Sequence, residues 1–71
     1  MLENLNKRRI ELRWTHEVAA KKSGISRAYY TNIELGRKDP SKKVMKQISE
    51  AFKMSVDVLF FNKIVPKRNT A

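Results

Sequence analysis

There is no cysteine among the 71 residues of this chain. That removes disulfides and thiolate metal sites, and it fits a reducing, cytoplasmic setting. Glycine occurs only at 24 and 36, and proline only at 40 and 66. Each falls where a helix is expected to end or a turn to begin. No apolar run approaches the roughly 20 residues that a membrane span needs. The start, M-L-E-N-L-N-K-R-R, lacks the apolar core of a signal peptide. Acid is scarce, with 7 Asp and Glu against 16 Lys and Arg, a formal charge of +9. A polyanionic partner is the simplest explanation. A membrane-surface helix would set a long apolar face against a basic one, and no segment has both. The plainer alternative is a soluble protein that happens to be basic. Histidine occurs once, with no Ser–His–acid or metal-ligand constellation near it in the sequence. The chain therefore reads as a non-enzyme, with no cofactor, metal or small-molecule ligand assigned.

What is present centres on Thr15 to Gly36, T-H-E-V-A-A-K-K-S-G-I-S-R-A-Y-Y-T-N-I-E-L-G. Thr15 is a good N-cap, since its hydroxyl can accept from an orphaned amide. His16 to Ser23 lacks breakers and carries the small pair Ala19 and Ala20. Gly24 can take a left-handed backbone at little steric cost. Ser26 then caps a second helix over Arg27 to Leu35, which Gly36 ends. Small residue, glycine four positions on, then Ile25 and Ser26 is the spacing of two helices joined by a tight turn. The second of these turns Arg27, Thr31 and Asn32 outward and Tyr30 and Ile33 inward. It suits a DNA major groove.

The flanking segments supply the rest of one small domain, whose size limits it to burying about 60% of its unfolded surface. Leu2 to Arg13 reads as a first helix, with Leu2, Leu5, Arg9 and Leu12 at helical spacing and Ile10 beside them. Lys7 and Arg8 read as a solvated basic face. Arg9 lies on the apolar side and is expected to pair with an internal acid, Glu34. Trp14 seals the junction to the next helix. Tyr29 lies at an edge, where its hydroxyl reaches a phosphate or its ring packs half-buried. After the turn Gly36 to Pro40, either Asp39 with Pro40 or Ser41 caps a fourth helix to about Phe52. Its apolar face is Val44 or Met45, Ile48, Ala51 and Phe52. Lys42, Lys43 and Lys46 crowd its start, which a nearby phosphate would favour and the helix dipole would not. Ser55 caps a fifth helix in which Val56, Leu59 and Phe60 close the core. Phe61, Ile64 and Val65 leave an unusual amount of apolar surface behind it. Residues 1–65 are thus expected to form the domain and 66–71 a basic tail.

In these anchors the chain resembles the lambda-repressor-like helix-turn-helix family, the Cro/C1 or XRE type. The matching residues are T15-H-E-V-A-A20, S-G24-I-S26-R-A-Y-Y-T-N-I33-E-L-G36, D-P40-S41 and M-S55-V-D-V-L-F60. The resemblance implies an all-α fold of five helices, with helices 2 and 3 as the DNA-reading pair. It implies a transcriptional regulator, usually a repressor, bound to double-stranded DNA as a homodimer on an inverted repeat. Carried over by position, Arg27, Ala28, Thr31 and Asn32 face bases. Thr15, His16, Ser26, Tyr29, Arg37, Lys38, Ser41 and Lys42 approach phosphates. Phe61, Ile64 and Val65 are the expected dimer interface, the alternative being that Phe61 folds back onto the core of its own chain. His16 stands where the family usually has Gln, which bonds a phosphate and braces the recognition helix. Arg13 and Lys53 stand where glycine is common. An antitoxin or protein-interaction module that keeps the fold is the alternative.

Overall fold

The computed structural model describes residues 1–61. Within them the chain is all helical: α1 (Glu3–Glu11), α2 (His16–Ser23), α3 (Arg27–Glu34), α4 (Lys42–Phe52) and α5 (Val56–Phe61). The five expected helices are all present, in order. The expected domain boundary at 65, and Ile64 and Val65, lie outside the described residues.

Hydroxyl caps set most of the helix starts. Thr15, Ser26, Ser41 and Ser55 accept from the amides of Val18, Tyr29, Val44 and Val58, at 3.1, 3.1, 3.2 and 3.2 Å. Each bond satisfies one donor that a helix end leaves orphaned. Ser41, rather than Asp39 with Pro40, is therefore the cap of α4.

α1 is shorter at both ends than the apolar spacing predicts. Leu2 is extended and its amide bonds the carbonyl of Glu34 at 2.8 Å, which ties the chain start to the end of α3. At the other end Arg13 takes a left-handed backbone, φ 61°, and cannot continue the helix. Lys53 ends α4 in the same way, at φ 57°. These are the two positions where the resemblance leads one to expect glycine, and a side chain there costs of order 1 kcal/mol in backbone strain.

The core joins Leu5 of α1, Ala19 and Ala20 of α2, Tyr30 and Ile33 of α3, Ile48 and Phe52 of α4 and Leu59 of α5, none more than 1% exposed. Trp14 packs edge-on to Phe52, with ring centroids 5.4 Å apart, and so seals the α1–α2 junction. Val58 is also buried, whereas Val56 is only half-buried. Ile10, expected on the apolar side of α1, is 59% exposed. Five residues on from buried Leu5, Ile10 stands about 140° around the helix from it and so faces solvent. α4 clamps the turn between α2 and α3: Gln47 Nε2 donates to the Ser23 carbonyl at 2.9 Å. A Cβ at Gly24, φ 76°, would lie 3.1 Å from that same nitrogen. The turn thus needs glycine for its backbone and for its packing.

Candidate nucleic-acid interface

The two long sides of α3 have opposite characters. Tyr30, Ile33 and Glu34 are buried, while Arg27 and Ala28 are exposed and Thr31 and Asn32 half-buried. Ser26 at its start and Arg37 and Lys38 beyond its end are exposed, and Tyr29 is half-buried. Thr15, Ser41 and Lys42 are exposed at the starts of α2 and α4. Among the described residues no hydrogen bond or ion pair within the fold engages the side chains of Arg27 or Asn32.

The inner side of α3 is fixed by a charged hub. Arg9 Nε lies 2.9 Å from Glu34 Oε1, and its Nη2 lies 3.2 Å from Oε2. The expected pairing of these residues is therefore present, and in two-pronged form. Tyr30 donates its hydroxyl to Oε1 at 2.5 Å and Asn6 its amide to Oε2 at 2.8 Å. Arg9 also donates to the Trp14 carbonyl at 2.8 Å, so the hub reaches the α1–α2 junction. Burial is the largest influence on the Glu34 carboxyl and pushes its pKa up. The bonds from Arg9, Tyr30 and Asn6 together outweigh it and hold the group below its ordinary range. The same surroundings, burial first, push the Tyr30 hydroxyl well above its ordinary range.

His16 carries this hub to the outer side of α3. Its Nε2 lies 3.2 Å from Glu34 Oε2, and its Nδ1 lies 3.0 Å from Thr31 Oγ1. The ring also meets Tyr30 edge-on, with centroids 5.7 Å apart. Both nitrogens are thus spent on α3. The brace on α3 expected at this position is therefore made through both imidazole nitrogens. The hydroxyl–imidazole–carboxylate line also escapes a sequence reading, because Thr31 is fifteen positions from His16. Arg8 needs a correction. It is half-buried, donates from Nε to the Phe52 carbonyl at 3.0 Å and lies 3.6 Å from Glu11. Its guanidinium therefore tethers α1 to the end of α4 instead of forming a solvated face.

Helix-end charges follow a pattern that bears on anions. α1, α2 and α5 carry an acid in their first turn: Glu3, Glu17 and Asp57. α3 and α4 carry none, and α4 begins on Lys42 and Lys43. An acid normally complements the positive helix start. Its absence from these two starts leaves room for a phosphate there.

Two further features frame the site. A cleft of about 330 Å³ between Leu2, Pro40, Met45, Phe60 and Phe61 has Phe61, 55% exposed, on its wall. Among the described residues no cluster of His, Cys, Asp or Glu is placed to hold a metal, and no helix is long and apolar enough to cross a membrane.

Residues 5–59 match the family model described as helix-turn-helix. An uncharacterised HTH-type transcriptional regulator of Bacillus subtilis, YqaF, is 44% identical over 56 residues, which is 79% of this chain and 74% of the relative. A second from the same organism, YqaE, is 40% identical over 57 residues, 80% of this chain and 49% of the relative. The chain thus spans about half the length of the second relative.

Proposed function

This chain belongs to the helix-turn-helix family of DNA-binding regulators, and on that premise we propose that it is a repressor that binds an inverted-repeat operator as a homodimer. The observation that carries the reading is the outer face of α3, where the side chains of Arg27 and Asn32 have no partner among the described residues, set on a helix whose inner face is fixed by buried bonds. A helix lies in the major groove as a rigid reading edge only if its own fold holds it still.

In this reading Arg27 makes a bidentate contact to guanine and Asn32 to adenine, with Ala28 against a thymine methyl. Thr31 completes the base-facing set. Thr15, Ser26, Tyr29, Arg37, Lys38, Ser41 and Lys42 position the duplex through its phosphates and carry no sequence information. Counterion release by the lysines and arginines makes the affinity steeply salt-dependent. Dimerisation doubles the site and sets half-sites near one helical turn, about 34 Å apart. Exposed Phe61, together with Ile64 and Val65 beyond the described residues, is the proposed contact between copies. Regulation works from the cytoplasm by occupancy of the operator.

Selection of bound duplexes from a random pool tests the function. The expected product is an inverted repeat. Failure to enrich any sequence would point instead to an interaction module that has kept the fold. Sedimentation tests the interface: Phe61→Ser is expected to shift the protein toward monomer, and an unchanged dimer would refute that assignment.

A further inference from the structure

The hub around Glu34 dictates which way a hydroxyl on the reading face points. Glu34 is 1% exposed and accepts from Arg9, Tyr30 and Asn6. An ionised carboxylate only accepts hydrogen bonds. His16 Nε2, 3.2 Å from Oε2, must therefore carry a proton. In a neutral imidazole the other nitrogen is then a bare acceptor. The atom facing Nδ1, at 3.0 Å, is Thr31 Oγ1. Its hydroxyl proton must point inward, at the ring, and its lone pairs are what remain for the outside.

A threonine hydroxyl ordinarily rotates to suit its partner, and in a groove it pairs with donors or acceptors alike. Here one choice has been removed. We propose that the Glu34–His16–Thr31 line fixes Thr31 as a hydrogen-bond acceptor, making His16 a specificity-determining residue that selects adenine or cytosine opposite Thr31. Those two bases present an exocyclic amine in the major groove, adenine N6 and cytosine N4. Guanine and thymine present acceptors there, which would meet a lone pair with a lone pair. His16 touches no base. It acts by holding the proton of a residue that does, so it is a positioning residue, and the inference rests on the reading that Thr31 faces bases.

Two measurements on the full chain test the proposal and keep its parts separate. The first is a long-range proton–nitrogen correlation spectrum of His16, taken where the imidazole is neutral. The expected tautomer has the proton on Nε2; a proton on Nδ1 would overturn the line itself. The second compares the selected duplex with its single-base replacements for the parent, Thr31→Val and His16→Ala, each checked for helicity by circular dichroism. The parent is expected to favour an amine-bearing base about tenfold at one position, the size of one hydrogen bond lost to a mismatch. Both variants are expected to flatten that position and leave the others unchanged. If Thr31→Val flattens it and His16→Ala does not, Thr31 reads the base but His16 does not direct it, and the proposal fails. If Thr31→Val flattens no position, Thr31 is not a base reader and the proposal fails with that reading. A parent preference for guanine or thymine there would also overturn it. Should His16→Ala fail to fold, the tautomer and the Thr31→Val comparison still decide.

Discussion

The two sides of α3 make opposite use of charge. On the inner side the carboxylate of Glu34 is almost wholly buried and collects bonds from Arg9, Tyr30, Asn6 and His16. On the outer side Arg27 is exposed and its side chain has no partner among the described residues. The buried carboxylate has no water to fall back on, so the fold must supply every partner. The exposed guanidinium is hydrated until a ligand replaces the water. The lesson is a division of labour within eight residues. The inner side holds the helix in place, and on the outer side Arg27 and Asn32 can be replaced at little cost to folding.

Glu34→Ala should break the comparison most severely. It leaves Arg9 and the Tyr30 hydroxyl buried without their acceptor and is expected to cost about 3–5 kcal/mol of stability, read by urea unfolding. On a domain this small that is a large part of the total. A loss below about 1 kcal/mol would mean that the hub is solvated and not structural. The pH dependence has the same origin. Glu34 is held below its ordinary range, so its stabilising contribution is complete above the ordinary carboxylate pH and is lost as pH falls through the folded-state value. Thermal unfolding across the acid range should show this decline, and Glu34→Gln should flatten it.

Arg27→Ala addresses the other side. It is expected to cost about 1–3 kcal/mol of binding to the selected duplex and to relax preference at one base position. Its unfolding midpoint should stay that of the parent, since exposed substitutions usually change stability by less than about 0.5 kcal/mol. Lys53→Gly bears on neither side and serves as a control for backbone strain. Relief of the left-handed strain at φ 57° should raise stability by about 1 kcal/mol, with DNA binding unchanged. Lys42→Ala is the mildest change. It should weaken specific and scrambled duplexes alike and lower the salt slope by about one.

Much of this division was legible in the sequence, for reasons tied to particular residues. Thr15, Ser26 and Gly24 act within a few positions of themselves, so their caps and turn follow from spacing. The Arg9–Glu34 pair was legible because an arginine on an apolar helix face needs an acid, and α3 offers one. What escaped was set by tertiary approach. Gln47 reads as an unremarkable position in α4 until its amide is seen on the Ser23 carbonyl. The two partners of the His16 brace, Thr31 and Glu34, emerge only from the approach of α2 to α3. Arg8 looks solvated until the end of α4 arrives beside it. Ile10 was misplaced for a local reason: five residues on from Leu5, it stands well around the helix from the buried stripe.

The central claim is that the outer face of α3 reads sequence while its inner face carries the fold. The most direct test is titration of Arg27→Ala and its parent against the selected duplex and a scrambled one, at fixed salt, alongside thermal unfolding of both proteins. The account predicts a loss confined mainly to the selected duplex, with unfolding unchanged. An equal loss on both duplexes, or a destabilised protein, would contradict it.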